Sequence, residues 1–480
     1  MIRRSMLALI GILTTMEFTL RLCLFCVKHE IKCKRKAYEA RKRIPRERFD
    51  WADFRDSLSP HQFRRMFRMS KMDFDALCQL IITAVGENEF KPESFIKDHL
   101  ITTGEDLMGS TPKQKKRRMY YANCHTTGGY INGETKLAIT LRLMAGGSFL
   151  DIAALYCCGY SYTNEIFHSV LDKWICNDNV INFEGMDYID NVPFMMENAR
   201  AFSNTGCHNG ILCGVIGSLD GWLVKIRRPK KSDMVGDITS FYCRKGFYAV
   251  NVQAIVNKKK LVLWRSIKCR GAEHDSNAFK KSNMYKKLLG KADFLRELGL
   301  YFVGDSAYSI RSFLQVPFEN SIPQSAEDCF NYHLSTCRIW VECAFGEIDM
   351  RWGILWRPLQ FSLARNIKVI DAALRLHNFI VSRREDDDTL SVEFDGYAQE
   401  SLEFLRDNPF EEIGVLNASS VVDEWGRLPR VEEANKTVGK NTREYIKETL
   451  KRNGYKRPTL STGAAWYRDR FNRVKNLENP

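Results

Sequence analysis

Two acids stand where acids are costly. In "LYFVGDSAYS" (300–309) the apolar run Tyr301, Phe302 and Val303 ends on Gly304 and then Asp305; in "VIGSLDGWLV" (215–224) Asp220 has apolar residues on both sides. Short apolar runs bounded by turn residues read as buried strands. A carboxylate in such a place is expensive to desolvate unless it is paired, hydrogen-bonded or bound to a metal. A third acid, Glu342, lies in "RIWVECAFGEIDMRWGIL" (338–355), where Val341, Ala344, Phe345, Ile348, Trp352 and Leu355 form an apolar helical stripe. At about 100° per residue Glu342 falls on the flank of that stripe, with Arg338 and Asp349.

Acids from a central strand, a neighbouring strand end and a packed helix can converge on one point. Like charges that close are unstable unless a cation compensates. Hard oxygen donors without a His or Cys cluster suit Mg²⁺ or Mn²⁺ better than zinc. Two such ions about 4 Å apart clamp the attacking and leaving oxygens of a phosphodiester displacement, with water or a 3′-hydroxyl as nucleophile. Spacing alone leaves a second reading open. In it Asp305 caps a helix or a turn, and the other acids are capping groups or surface partners of Arg338.

The surrounding elements decide whether the acids can meet. Residues 211–310 read as strands: "ILCGVIGSLDGWLVKI", then "FYAVNVQAIVN" and "KLVLWRSIK" joined by the hairpin turn "NKKK" (257–260). Three antiparallel strands therefore precede a helical stretch, "HDSNAFKKSNMYKKLLG", and the strand that leads to Asp305. Upstream, Phe63, Phe67, Phe74, Leu77 and Ile81 recur at helical spacing. Three short helical patterns follow over 134–177, the first ending on Gly146 and Gly147, the second on Gly159, the third opening at the capping candidate Ser161. That succession fits a helix-turn-helix or an ordinary three-helix packing unit. A last helix is expected from Asn441, with Glu444 completing a capping box, to Gly454.

These patterns give an α/β chain in four parts. Residues 1–48 form an apolar then basic segment, 49–205 a helical domain, 206–384 the sheet-bearing domain that carries the three acids, and 385–480 an acidic linker with a helical tail. At 480 residues, two or three domains are expected. A surplus of 72 Lys and Arg over 58 Asp and Glu, net +14, favours a polyanionic partner, nucleic acid before membrane. "VKIRRPKK" follows Asp220 directly, and its Lys225, Arg227, Arg228, Lys230 and Lys231 could grip phosphates, or simply cover a solvated hairpin. Lys245, in "KGFY", sits among aromatics that could stack on an unpaired end. "KQKKRR" (113–118) and "KRKAYEARKRIPRER" (34–48) add cationic runs, the latter a nuclear-import or DNA-contacting segment or a solvated helix face. The 15 cysteines are an odd number and scattered, and Cys23 and Cys26 in "CLFC" have no matching second pair, so reduced thiols are expected. Glu17 and Arg21 interrupt the apolar N-terminus, which argues for an amphipathic or buried helix and against a membrane span.

The strings "VIGSLDGWLVKIRRP", "FYCRKGFYAVNVQAIVNKKKLVLW", "GAEHDSNAF", "VGDSAY", "RIWVECAFGEIDMRWGILWRPL" and "LRLHNFI", in that order, resemble the transposases of the PIF/Harbinger superfamily. The resemblance runs from about Phe63 to His377, with "FRMSKMDFDAL" similar to the family's opening motif. It implies an RNase H-like catalytic domain, a mixed sheet flanked by helices, with a helix-turn-helix-like all-α domain before it. It implies a DDE triad on Asp220, Asp305 and Glu342 that binds Mg²⁺ or Mn²⁺, as two ions, and catalyses DNA cleavage and strand transfer. His274 and Asp275 match the family's "HD" pair as supporting residues. A nuclear location, a Myb-like DNA-binding partner protein and a homo-oligomer are implied with it. The alternative is a host-adopted DNA- or protein-binding factor that keeps the fold without transposition. The first 30 residues have no counterpart in the family, and the segment after 385 matches only loosely.

Overall fold

The computed structural model describes residues 49–86, 90, 131–183, 185, 187–203, 212–230, 237–384 and 428–457. The expectations for residues 1–48, including Cys23, Cys26 and the 34–48 cluster, fall outside the described residues. So do those for 113–118, for Lys231 and for the acidic run at 385–388. Two compact units are distinguished. The smaller holds Phe49 and Leu155–Cys158 among its described residues, with the Phe49 and Tyr156 rings 4.6 Å apart. The larger holds Asp50–Phe95, Ile131–Ala154 and Gly159–Pro480, so the N-terminal helices, the sheet and the last helix belong to one body.

Helices form where periodicity and caps agree. α1 (Trp51–Ser57), α2 (Pro60–Phe67) and α3 (Lys71–Val85) follow the capping side chains of Asp50, Ser59 and Ser70. Phe63, Phe67, Phe74, Leu77 and Ile81 are all buried, and Trp51 packs its ring among the three phenylalanines. α4 (Gly133–Met144), α5 (Phe149–Leu155) and α6 (Tyr160–Val170) stand at the three expected positions. The cap of α6 is Gly159 and not Ser161, which lies exposed inside the helix. Its exposed face carries Ser161, Tyr162, Glu165 and Ser169, and the nearest exposed Lys on the same run is Lys173 in the continuing turn at 171–175, so the surface is at most weakly basic. α7 (Val192–Ser203) leads toward the sheet.

The sheet has five strands in the order β3-β2-β1-β4-β5. β1 (Val215–Lys225), β2 (Ala249–Val256) and β3 (Val262–Arg270) form the expected antiparallel meander. β4 (Tyr301–Val303) and β5 (Leu314–Gln315) then join in parallel, which makes the sheet mixed. Three helices lie between β3 and β4: α8 (Asp275–Lys280), α9 (Asn283–Gly290) and α10 (Ala292–Glu297). Both faces are covered, because alternate residues of β1 and β4 enter different cores. Ile216, Leu219 and Phe302 join Tyr188, Phe279 and Phe313 on one side. Val215, Tyr301 and Val303 join Phe330, Leu334 and Leu450 on the other. A mixed sheet between helices is compatible with the RNase H-like expectation.

Two long helices follow, α11 (Ala326–Arg351) and α12 (Leu363–Ser382). In "LRLHNFI" His377 Nε2 meets Lys260 O at 2.8 Å, and Asn378 both accepts from Val262 N and donates to Val262 O at 2.8 Å. That motif therefore grips the β2–β3 hairpin. Burial pushes His377 down to about 4, so the ring is neutral there. The final helix, α13, spans Leu428–Arg452 and not 441–454. Tertiary packing extends it: Asn435 accepts from Ser312 N at 3.1 Å, and Gly439 lies so close that a Cβ would meet the Arg311 backbone at 2.5 Å.

Candidate active site

The helix α11 is laid along β1 and keeps pace with it. The buried Ser218 hydroxyl donates to Cys337 O at 2.6 Å, and four residues on, Trp222 stacks on Phe345 with centroids 5.5 Å apart at 19°. Four strand residues advance about 13 Å and eight helix residues about 12 Å, so the two elements rise together. Glu342, five residues beyond Cys337, thus comes level with Asp220, two residues beyond Ser218. Arg338 stands between them, its Nη2 3.5 Å from Asp220 Oδ2 and 3.3 Å from Glu342 Oε1. The two acids can be no farther apart than those contacts laid end to end. Their settings differ: the Asp220 side chain is 18% exposed and that of Glu342 57%.

Asp305 arrives from the other side of β1. Parallel pairing sets Ser218 opposite Val303, so the chain two residues further on each strand reaches the same level. After Gly304 the backbone turns, and Asp305 Oδ1 accepts from Ala307 N at 2.9 Å while its carbonyl accepts from Tyr308 N at 3.2 Å. The carboxylate is therefore a turn former, as the plainer reading of the sequence has it, and no helix follows. The same turn holds it beside Asp220, and both charges act on Tyr308.

A fourth acid enters from α8. Asp275 Oδ1 accepts from Asn251 Nδ2 and Gln253 Nε2, both at 2.9 Å, and Tyr308 OH donates to Gln253 Oε1 at 2.6 Å. Asn251 and Gln253 are buried in β2, whose two faces are both covered. Gly221 makes room for this group, since a Cβ there would meet Asp275 Oδ1 at 2.2 Å. His274 instead caps α8, its Nδ1 accepting from Ser276 N at 3.4 Å, and its side chain is exposed.

Electrostatics single out Asp220. Burial pushes its carboxyl up to about 6, with Asp305 and Asp275 adding to the rise. The Gly221 N–H, donating to Oδ1 at 2.7 Å, and the Arg338 guanidinium hold it back. Burial together with Asp220, Asp275 and Asp305 raises Tyr308 well above the ordinary phenol range. An oxygen-only set dominated by negative charge fits a hard divalent cation in donor type and sign. Among the described residues, however, no three His, Cys, Asp or Glu side chains are placed so that they already surround an ion. Arg338 lies where the third ligand would close in.

The cationic residues expected beside the site are partly gathered. Lys225, Arg227, Arg228, Lys230 and Lys245 are exposed, with Lys225 Nζ 5.0 Å from the centre of the Phe247 ring. The strand end that bears them lies five residues past Asp220, about 17 Å along β1. Arg357 and Trp356, which sequence reasoning missed, are exposed next to them, because Ile226 and Arg227 pair with Leu359. No sequence signal marked that pairing. Asn251, Gln253 and Tyr308 were also missed as site residues. Their signal is a polar alternation in a strand with no solvent face.

Residues 219–378 match the family described as DDE superfamily endonuclease. Among curated proteins the chain is similar to a "Protein ALP1-like" of Arabidopsis thaliana, at 27% identity over 201 residues. That match covers 36% of this chain and 48% of the relative, so it spans about half the relative's length. No solved structure matches the chain.

Proposed function

We propose that this chain is a Harbinger-type DDE transposase whose endonuclease segment, at 219–378, cleaves DNA phosphodiester bonds and transfers the resulting strands. The observation that carries the reading is the common level of Asp220, Asp305 and Glu342, reached from β1, the turn after β4 and α11. These three would hold Mg²⁺ or Mn²⁺, as two ions. When bound, such ions supply an activated water or 3′-hydroxyl and neutralise the leaving oxygen.

The chain's own groups do the rest. The Gly221 N–H fixes one Asp220 oxygen, which leaves Oδ2 to face the site. The Asn251, Gln253 and Tyr308 amide–phenol chain fixes Asp275 behind it and makes Asp275 a positioning residue. Lys225, Arg227, Arg228, Lys230 and Lys245 would hold phosphates further along the strand, away from the reacting bond. Terminal repeats and target DNA are the substrates in this reading. A Myb-like partner protein supplies sequence recognition, which agrees with an outer face of α6 that is at most weakly basic. A homo-oligomer in the nucleus completes the proposal.

The test is Asp305→Asn, assayed for Mg²⁺-dependent cutting of DNA that bears the element's own ends, with the partner supplied. Loss of an outer-shell partner of a metal lowers activity about 10–100-fold, so loss of a ligand should exceed about a hundredfold. Undiminished cutting by the folded variant removes Asp305 from the triad. A second reading, a DNA- or protein-binding factor without transposition, is favoured by one observation: Arg338 already pairs with Asp220 and Glu342. It predicts DNA binding that is indifferent to divalent ions and no cutting under any condition.

A further inference from the structure

Arg338 is an unusual partner for two acids. A guanidinium that binds a carboxylate well offers two parallel N–H groups at about 2.7–2.9 Å. Here one nitrogen, Nη2, is shared between Asp220 at 3.5 Å and Glu342 at 3.3 Å, and only the Glu342 contact has hydrogen-bond geometry. The side chain is 17% exposed, yet its Nε is buried without a hydrogen-bond partner. A buried unpaired N–H is a destabilising arrangement that a better acceptor relieves. The guanidinium offsets part of the site's negative charge but is loosely held in it.

Its position follows from the anchoring of α11. With Cys337 fixed to Ser218, the next residue is bound to project beside Asp220, and Glu342 is one helical turn further on. Around Mg²⁺, oxygens at about 2.0–2.1 Å from the ion lie within about 4 Å of one another. A guanidinium wedged between Asp220 and Glu342 is incompatible with that spacing.

We propose that Arg338 is a displaceable counter-cation: it holds Asp220 and Glu342 while the site is idle, and a DNA phosphate draws it away so that a divalent ion takes its place. This rests on the reading of those acids as metal ligands. Phosphate is the partner whose pair of oxygens suits the fork that neither acid fills. The consequence is linkage. DNA raises divalent-ion affinity and the ion raises DNA affinity by the same factor, through one side chain.

The experiment measures Mn²⁺ binding to the full chain by calorimetry, without and with a short blunt DNA duplex, for wild type, R338Q, R338K and D220N. A unit charge a few ångströms from a bound cation opposes it strongly even at an effective dielectric near about 20. R338Q without DNA should therefore bind Mn²⁺ at least about tenfold more tightly than wild type. R338K, which keeps the charge, should stay near wild type. The duplex should tighten Mn²⁺ binding by wild type and leave R338Q unchanged. Equal or weaker Mn²⁺ binding by folded R338Q overturns the proposal, as does a wild type whose affinity ignores the duplex, a result that stands even where R338Q does not fold. D220N separates the two levels of inference. Mn²⁺ binding that D220N leaves intact refutes the ligand reading itself, whereas binding abolished in D220N but unchanged in R338Q refutes only the role of Arg338.

Discussion

Asp220→Asn should make the protein more stable at neutral pH while removing its proposed activity. Burial lifts the Asp220 carboxyl from 3.8 to about 6, so the folded chain holds that proton more tightly than the unfolded chain does. At about 1.4 kcal/mol for each pH unit, the ionised group destabilises the fold by about 3 kcal/mol above pH 6. The penalty shrinks as pH falls from about 6 toward 3.8, where both states are protonated, and is absent below. Asparagine keeps the oxygen that accepts from the Gly221 N–H and carries no charge, so the penalty disappears. The forfeited attraction to Arg338 is already included, since that guanidinium opposes the rise. Thermal unfolding in a chelating buffer, scanned from about pH 8 toward about pH 4, reads the difference. A gain approaching about 3 kcal/mol corresponds to several degrees in Tm for a body of this size. D220N should melt higher than wild type above about pH 6, and the two curves should converge on acidification. A variant that melts at or below wild type at neutral pH, or a gap that does not close with acid, would refute the assignment of Asp220 as a buried, strained carboxylate.

Other expectations are more direct. Divalent-ion affinity should weaken as pH drops through about 6, because a proton then competes with the cation for Asp220; an affinity that stays constant from about pH 8 to about pH 5 would contradict the ligand role. Gly221→Ala should cost about 1–3 kcal/mol and push Asp275 out of place, read as a lower denaturation midpoint, since the new methyl meets Asp275 Oδ1 at 2.2 Å. Leu450→Ala should destabilise by about 2–5 kcal/mol, because Leu450 is buried with Tyr301 and Phe330; a neutral result would show α13 to be dispensable. Neutralising Arg227 and Arg228 should lower the salt slope of DNA binding by about 0.9 for each phosphate left without its cation, and an unchanged slope would put the DNA elsewhere.

What the sequence disclosed, and what it withheld, follows from the range of the interactions involved. Asp220 and Asp305 stand out in the sequence because a carboxylate within or at the end of an apolar run violates a local rule, whereas Glu342, on the flank of a helical stripe, breaks none. The antiparallel meander was legible because "NKKK" and period-two alternation are local too. That Asp305 sits beside Asp220 depends on parallel pairing across an intervening helical stretch, which no local pattern encodes. The start of α13 at Leu428 was missed because its first turns are polar, and contacts to Ser312 and the Arg311 backbone hold them instead. Ser161 was misread as a cap because a helix also accepts Gly at that place.

The arrangement of the acids also explains why residues so far apart in the chain depend on one another. Glu342 comes level with Asp220 only while α11 rises in step with β1, and two contacts fix that phase: Ser218 to Cys337 and Trp222 to Phe345. One helical residue turns through about 100°, so a slip of a single position would carry Glu342 off the face that meets β1. The cores on both sides of the sheet are satisfied by many combinations of apolar residues. This phase is satisfied by few, because a hydroxyl, a carbonyl and two stacked rings must coincide. The site therefore depends on residues that are not acidic at all. Ser218→Ala should preserve the fold, since the Cys337 carbonyl keeps its place in the hydrogen-bond ladder of α11 and the lost hydroxyl contact costs only about 0.5–1.5 kcal/mol, and should still reduce divalent-ion binding by releasing α11 from β1. Calorimetric Mn²⁺ affinity equal to wild type in folded S218A would show that the helix is held in phase by other means.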